Sequence, residues 1–207
     1  MMQSIESIMT TSPVIPVIRI DNLDHAVPLA KALVKGGLKV LEVTLRTEWG
    51  LAAIADIKEH VPEATVGAGT VIDAQNYANA VAAGAEFVVS PGCTAALAQA
   101  AQQYDVPMLP GIATPSEAMT LLEFGLQHLK FFPAQAAGGI PMLKSIAGPL
   151  PQLKFCPTGG VNPDNAADFL ALENVLCVGG TWMLDQALIE AGDWSSIEAR
   201  AKQAAAL

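Results

Sequence analysis

Cysteine is scarce in this chain, with only Cys93, Cys156 and Cys177 among 207 residues. An odd number at unrelated spacings offers neither a disulfide frame nor a zinc ligand set, and suits reduced thiols in the cytoplasm. Histidine is equally sparse: His25, His60 and His128 form no HxxxH-type pair, so no metal and no metal-dependent mechanism are expected. Positive charge is short as well, 11 Lys and Arg against 20 Asp and Glu, for a net charge of −9. Nucleic acids and anionic membranes both reward basic surfaces, so neither is expected as a partner. An anionic small molecule fits only if a few local groups hold it. No run reaches the roughly 18 uncharged apolar residues of a membrane helix. The N-terminal MMQSIESIMTT has no basic region ahead of an apolar core, so it is no secretory signal. It reads as a short helix before the first strand.

What the chain does have is apolar content, 52%, in a length suited to one large core. Short β-rich runs alternate with alanine-rich amphipathic stretches from end to end. The strand candidates are VIPVI (14–18), KVLEVTL (39–45), ATVGAG (64–69), EFVVS (86–90), VPMLP (106–110), HLKFF (128–132), LKFCP (153–157) and NVLCV (174–178). Between them lie helical patterns such as HAVPLAKALVKGG, AQNYANAVAAG and TPSEAMTLLEFG, each ended by glycine. Such alternation indicates βαβ units and a parallel sheet. No glycine-rich dinucleotide fingerprint follows the first strand, and about eight units favour a single (β/α)8 TIM barrel with an extra N-terminal helix. An open flavodoxin-like sheet is the alternative. No linker, charge block or low-complexity segment divides the chain, so residues 1–207 are read as one domain.

In a barrel of this kind the active site lies at the C-terminal ends of the strands. Lys130 stands near the end of its strand, next to Phe131, Phe132 and Pro133. Loss of water there disfavours a charged amine, and a neutral amine attacks ketones to form imines. A strand lysine snorkelling to water explains the same residue. Lys154 shares the local string LKF, but Pro149 and Pro151 force its strand to begin no earlier than Leu153, placing Lys154 at the structural end. In the second strand Glu42, Thr44 and Arg46 share one face by period-two alternation, while Leu41, Val43 and Leu45 form the other. Glu42 and Thr44 therefore point inward and Arg46 stands at the rim. An inward carboxylate is costly unless paired or functional, and a Glu42–Arg46 ion pair would also account for it. The turns TGGVNPDN (158–165) and VGGTW (178–182) follow the last two strands, where barrels commonly bind phosphate on backbone N–H groups and a helix N-terminus.

EVTLRT (42–47), GAGT (67–70), SPG (90–92), KFFPA (130–134) and CPTGG (156–160) resemble the motifs of the 2-keto-3-deoxy-6-phosphogluconate (KDPG) and 4-hydroxy-2-oxoglutarate (KHG) aldolase family. The resemblance runs from the N-terminal helix to about the last one. It implies a class I, metal-independent aldolase of the Entner–Doudoroff pathway, cleaving KDPG to pyruvate and glyceraldehyde 3-phosphate without a cofactor. By the same resemblance Lys130 forms the imine and Glu42 is the general acid/base. Arg46 and Thr70 hold the pyruvyl carboxylate, Pro91 and Phe132 wall that pocket, and Thr158 meets the aldehyde end. Gly159, Gly160, Gly180 and Thr181 bind the phosphate, with threonine at 181 where the family's familiar residue is serine. A homotrimer is implied in the same way. A barrel isomerase using Glu42 as base, and a non-catalytic phosphosugar-binding barrel, are the readings that compete with it.

Overall fold

The computed structural model describes residues 3–207; Met1 and Met2, the start of the segment read as an N-terminal helix, lie outside the described residues. The strands are β1 (Val14–Ile18), β2 (Val40–Thr44), β3 (Thr65–Gly69), β4 (Val88–Val89), β5 (Met108–Leu109), β6 (Gly111–Ile112), β7 (His128–Phe131), β8 (Lys154–Pro157) and β9 (Val178–Gly180). A short α1 (Ile5–Met9) precedes them. The other helices are α2 (Ala26–Lys35), α3 (Gly50–His60), α4 (Ala74–Ala82), α5 (Ala95–Ala101), α6 (Pro115–Glu123), α7 (Gly139–Ala147), α8 (Ala166–Leu170), α9 (Gln186–Glu190) and α10 (Trp194–Ala205).

Local chemistry sets many of these boundaries. Thr114 and Glu117 form a reciprocal capping box at the start of α6, with Pro115 in its first turn. Asp73 caps α4 by accepting from the Asn76 amide. Gly36 ends α2, where a Cβ would meet Ala201 and the Glu198 carbonyl of α10. That glycine lets the first and last full helices pack closely.

Every strand pairing is parallel. One sheet runs β5-β4-β3-β2-β1-β9 and the other β6-β7-β8. Only Pro110 separates β5 from β6, and its carbonyl accepts from the Lys130 amide at 2.8 Å. Single bridges, Phe155 to Val175 and Thr158 to Gly179, tie β8 to the approach and middle of β9. β1 to β5, β7 and β8 coincide with the sequence expectation to within about two residues; β6 has no counterpart in it, and the last strand falls later than expected. NVLCV supplies one bridge at Val175, and the paired strand begins at Val178 and runs into two glycines.

Two apolar layers follow from the pleat. The larger joins the outward faces of the strands to the helices, and includes Leu41, Val43, Leu129, Phe131 and Phe155. The smaller gathers Ile15, Val40, Phe87, Val89, Leu109, Cys156 and Cys177 with Ile8 and Met9 of α1. Residues from distant strands meet in that second cluster because the parallel sheet is curled. Its inner face is filled, and α1 closes one end of the filling.

Ile8 is fully buried there. Ile8→Ala is expected to cost about 2–5 kcal/mol of stability in denaturant unfolding. A loss under about 0.5 kcal/mol, the range of ordinary surface substitutions, would mean that α1 does not plug the inner cluster.

Candidate active site

Lys130 is the third residue of β7, paired in register with Gly111 on one side and Cys156 on the other. Its Nζ lies 3.0 Å from Glu42 Oε1 and 3.3 Å from Oε2. The two side chains are 7% and 4% exposed. Glu42 comes from the middle of β2, between Val17 of β1 and Gly67 of β3. The pair is thus assembled across the inner face of the curled sheet from residues 88 positions apart. The Glu42–Arg46 ion pair that the sequence also allowed does not form. Lys154, the other candidate, opens β8 and donates to the Glu173 carbonyl at 3.0 Å, away from Glu42.

The surroundings of the pair are specific. A Cβ on Gly69 would meet Glu42 Cγ at 2.7 Å and Cδ at 2.8 Å, so the glycine opens the space that the carboxylate occupies. The Phe132 ring lies against the lysine, its centroid 5.6 Å from Nζ. Cys156 and Cys177 belong to the apolar filling of the same inner face. The hydrogen bond that Cys177 donates to Cys156, then burial, hold its thiol well above its ordinary value, so it stays protonated. No group of three or more potential metal ligands occurs among the described residues.

The other residues singled out in the sequence stand at or just beyond the C-terminal ends of the strands. Arg46 follows β2; its Nε donates to Thr44 Oγ1 at 3.1 Å, and its terminal nitrogens bond to nothing among the described residues. Thr70 follows β3 with φ +62, the only non-glycine with positive φ among the described residues. A β-branched residue resists that conformation, and such strain concentrates at functional sites. Pro91 follows β4 beyond the buried Ser90, whose hydroxyl accepts from the Gly111 amide at 3.3 Å. Phe132 and Thr158 follow β7 and β8. Thr158 is buried, and its side chain fills the space that a Cβ on Gly179 would need.

The two glycine turns are brought side by side. The bridge between Thr158 and Gly179 aligns Gly159 and Gly160 with Gly180 and Thr181. Gly159 (φ +97) and Gly160 (φ +79) adopt conformations that favour glycine. No hydrogen bond among the described residues uses the amides of Gly159, Gly160 or Val161. The first-turn amides of α9 at Ala187 and Leu188 donate to Asp185, whereas Asn165, at the start of α8 beyond the first glycine turn, makes no side-chain cap bond.

Sequence reasoning passed over Arg19. It follows β1 and pairs with Asp21 at 2.9 Å, and with Arg46 and Thr181 it lines a cavity of about 130 Å3. The signal was available: Ile15, Val17 and Arg19 alternate along β1 as Val40, Glu42, Thr44 and Arg46 do along β2.

A buried amine beside a carboxylate, with a free guanidinium fork at the rim, is equipment for imine chemistry on an anionic carbonyl compound. The model of the KDPG and KHG aldolase family matches residues 5–200. The KHG/KDPG aldolase of Escherichia coli K12 is 53% identical over 201 residues, covering 97% of this chain and 94% of that protein. A crystal structure of KDPG aldolase from Legionella pneumophila, with pyruvate captured at low pH as a covalent carbinolamine intermediate, is 48% identical. It superposes with a TM-score of 0.95 over 97% of both chains. The Zymomonas mobilis ZM4 enzyme with 3-phosphoglycerate is 47% identical, with a TM-score of 0.93 over 97% of this chain and 94% of that one. The chain belongs to the KDPG and KHG aldolase family.

The steric role of Gly69 is directly testable, since its backbone is not left-handed and alanine brings only a methyl group. Gly69→Ala should displace the Glu42 carboxylate from Lys130. Breaking a buried pair costs about 3–5 kcal/mol. Urea denaturation should show a loss of that order, and a variant as stable as the parent would mean that Glu42 can retreat without losing its partner.

Proposed function

We propose that the chain is a class I aldolase that reversibly cleaves KDPG to pyruvate and glyceraldehyde 3-phosphate. It also cleaves KHG to pyruvate and glyoxylate. The observation that carries this reading is the buried contact of 3.0 Å between Lys130 and Glu42. The Legionella pneumophila relative, with its covalent pyruvate carbinolamine, supports imine chemistry. The Zymomonas mobilis relative, with 3-phosphoglycerate, supports a phosphorylated three-carbon fragment at the other end.

The geometry gives each group a task. A proton passes from Lys130 Nζ to Glu42, directly or through a water, and the freed amine attacks the C2 ketone to give a carbinolamine. Glu42 returns that proton to the carbinolamine hydroxyl, which leaves as water, and the protonated imine so formed is the electron sink. Glu42 then takes the C4 hydroxyl proton, the C3–C4 bond breaks, and its electrons move into the imine to form the enamine as the aldehyde leaves. Protonation at C3 and hydrolysis release pyruvate and restore Lys130. A metal has no step to perform in this sequence.

Arg46 and Thr70 hold the pyruvyl carboxylate, which orients the ketone for attack. Pro91 and Phe132 wall that half, and Thr158 meets the aldehyde end. Gly159, Gly160, Gly180 and Thr181 hold the phosphate, through backbone N–H groups that glycine lets a ligand approach and through the Thr181 hydroxyl. The two sheets are read as one closed (β/α)8 barrel, β5 and β6 being one strand interrupted at Pro110. The bridges of β8 to the β9 segment support that closure. Residues 1–207 form one domain. Assembly as a homotrimer, a place in the Entner–Doudoroff pathway and a cytoplasmic location complete the proposal. Exposed Trp49, Ile72 and Met119 offer apolar surface for subunit contacts, and free cysteines suit a reducing compartment.

Pyruvate release from KDPG in the presence of a strong chelator tests the reaction. Glu42→Gln keeps size and polarity but removes the base, so kcat should fall by about 10²–10⁴. Retained kcat would make Glu42 a structural partner of Lys130. Thr181→Ala should raise KM for KDPG about 10- to 100-fold, the equivalent of one hydrogen bond to a charged group. KHG carries no phosphate and should be cleaved as before. Equal effects on both substrates would remove Thr181 from the phosphate site.

A further inference from the structure

Thr44 carries none of the roles assigned above, yet it is the most enclosed polar side chain on its strand, 1% exposed. Its Oγ1 lies 2.8 Å from the Ile18 carbonyl oxygen and 3.1 Å from Arg46 Nε. A carbonyl has no hydrogen to give, so the hydroxyl hydrogen is committed to Ile18. Oγ1 is left to meet the Nε–H of Arg46 with a lone pair. The direction of both bonds is therefore fixed by β1.

This matters because of where Arg46 stands. It is exposed at the rim, in no ion pair among the described residues. A long side chain so placed samples many rotamers. Tied at Nε, the planar guanidinium keeps its two terminal nitrogens free as a pair, the geometry that takes a carboxylate through two parallel bonds.

We propose that Thr44 is a positioning residue for the aldolase reaction: its hydroxyl, held by the Ile18 carbonyl, orients the Arg46 fork toward the substrate carboxylate. The inference rests on reading Arg46 as the carboxylate clamp. Thr44 itself does not touch substrate and acts through Arg46. Loss of the hydroxyl should therefore weaken capture of the carboxylate while leaving the Lys130–Glu42 chemistry in place.

The test is a double-mutant cycle between Thr44→Val, which keeps the shape of threonine without its hydroxyl, and Arg46→Met. Steady-state cleavage of KDPG gives KM and kcat separately, and thermal melts report folding. Thr44→Val should raise KM about 10-fold, near the lower end for a hydrogen bond to a charged group. Its kcat should change less than about threefold, and Thr44→Ser should return KM to the parent value. In the Arg46→Met background Thr44→Val should raise KM no further. An unchanged KM in Thr44→Val, or its full effect persisting without Arg46, would overturn the positioning role. If Arg46→Met itself leaves KM unchanged, the clamp reading fails instead, and the two failures are distinct. Thr44→Ala reads the same coupling should the valine variant fold poorly.

Discussion

A lysine and a glutamate, 7% and 4% exposed, face each other at 3.0 Å on the inner face of a curled parallel sheet, and the surrounding structure answers to them. Removing two ions from water costs several kcal/mol each, and their attraction repays it only with close geometry. Hydrophobic residues of similar volume would fill the same space with no such cost. The pair therefore makes chemical rather than structural sense. It keeps an amine dry, beside a group able to take its proton.

The fold meets this demand from below and from above. Below, Ile8 and Met9 of α1 pack with Ile15, Val40, Phe87 and Leu109 into an apolar filling, so the inner face is closed to water at that end. Glycine at position 69 leaves room for the carboxylate, and the Phe132 ring covers one side of the amine. Above, the strands end in polar or conformationally special residues: Arg19, Arg46, Thr70, Thr158 and the paired glycine turns. The gradient runs from an apolar floor through the buried pair to a rim able to hold anions. It also fits the proposed reaction, since an acidic chain can hold an anionic substrate through local charge and N–H donors.

Much of this was legible in the sequence, for identifiable reasons. The all-apolar Leu41, Val43 and Leu45 fixed which face of β2 looks outward, and with it the inward direction of Glu42 and Thr44. Pro149 and Pro151 separated Lys154 from Lys130 by delaying the start of β8, which begins at Lys154. What stayed hidden depended on contacts distant in sequence. Arg46 lies four residues from Glu42 and offered a local partner, whereas the actual partner is 88 residues away. The last strand was read too early because Gly179 and Gly180 are weak strand formers. They pair with β1 through their backbones, and Thr158 fits where Gly179 lacks a side chain.

The central claim is that Lys130, and no other lysine, is the nucleophile. Borohydride reduction in the presence of pyruvate, followed by peptide mass mapping, tests it most directly. Reduction of a pyruvate imine fixes the three-carbon unit to the amine that formed it. The account requires the adduct on the peptide containing Lys130 and its disappearance in Lys130→Arg, because a guanidinium stays protonated. An adduct on Lys154, or no pyruvate-dependent adduct in a folded and active protein, would contradict it.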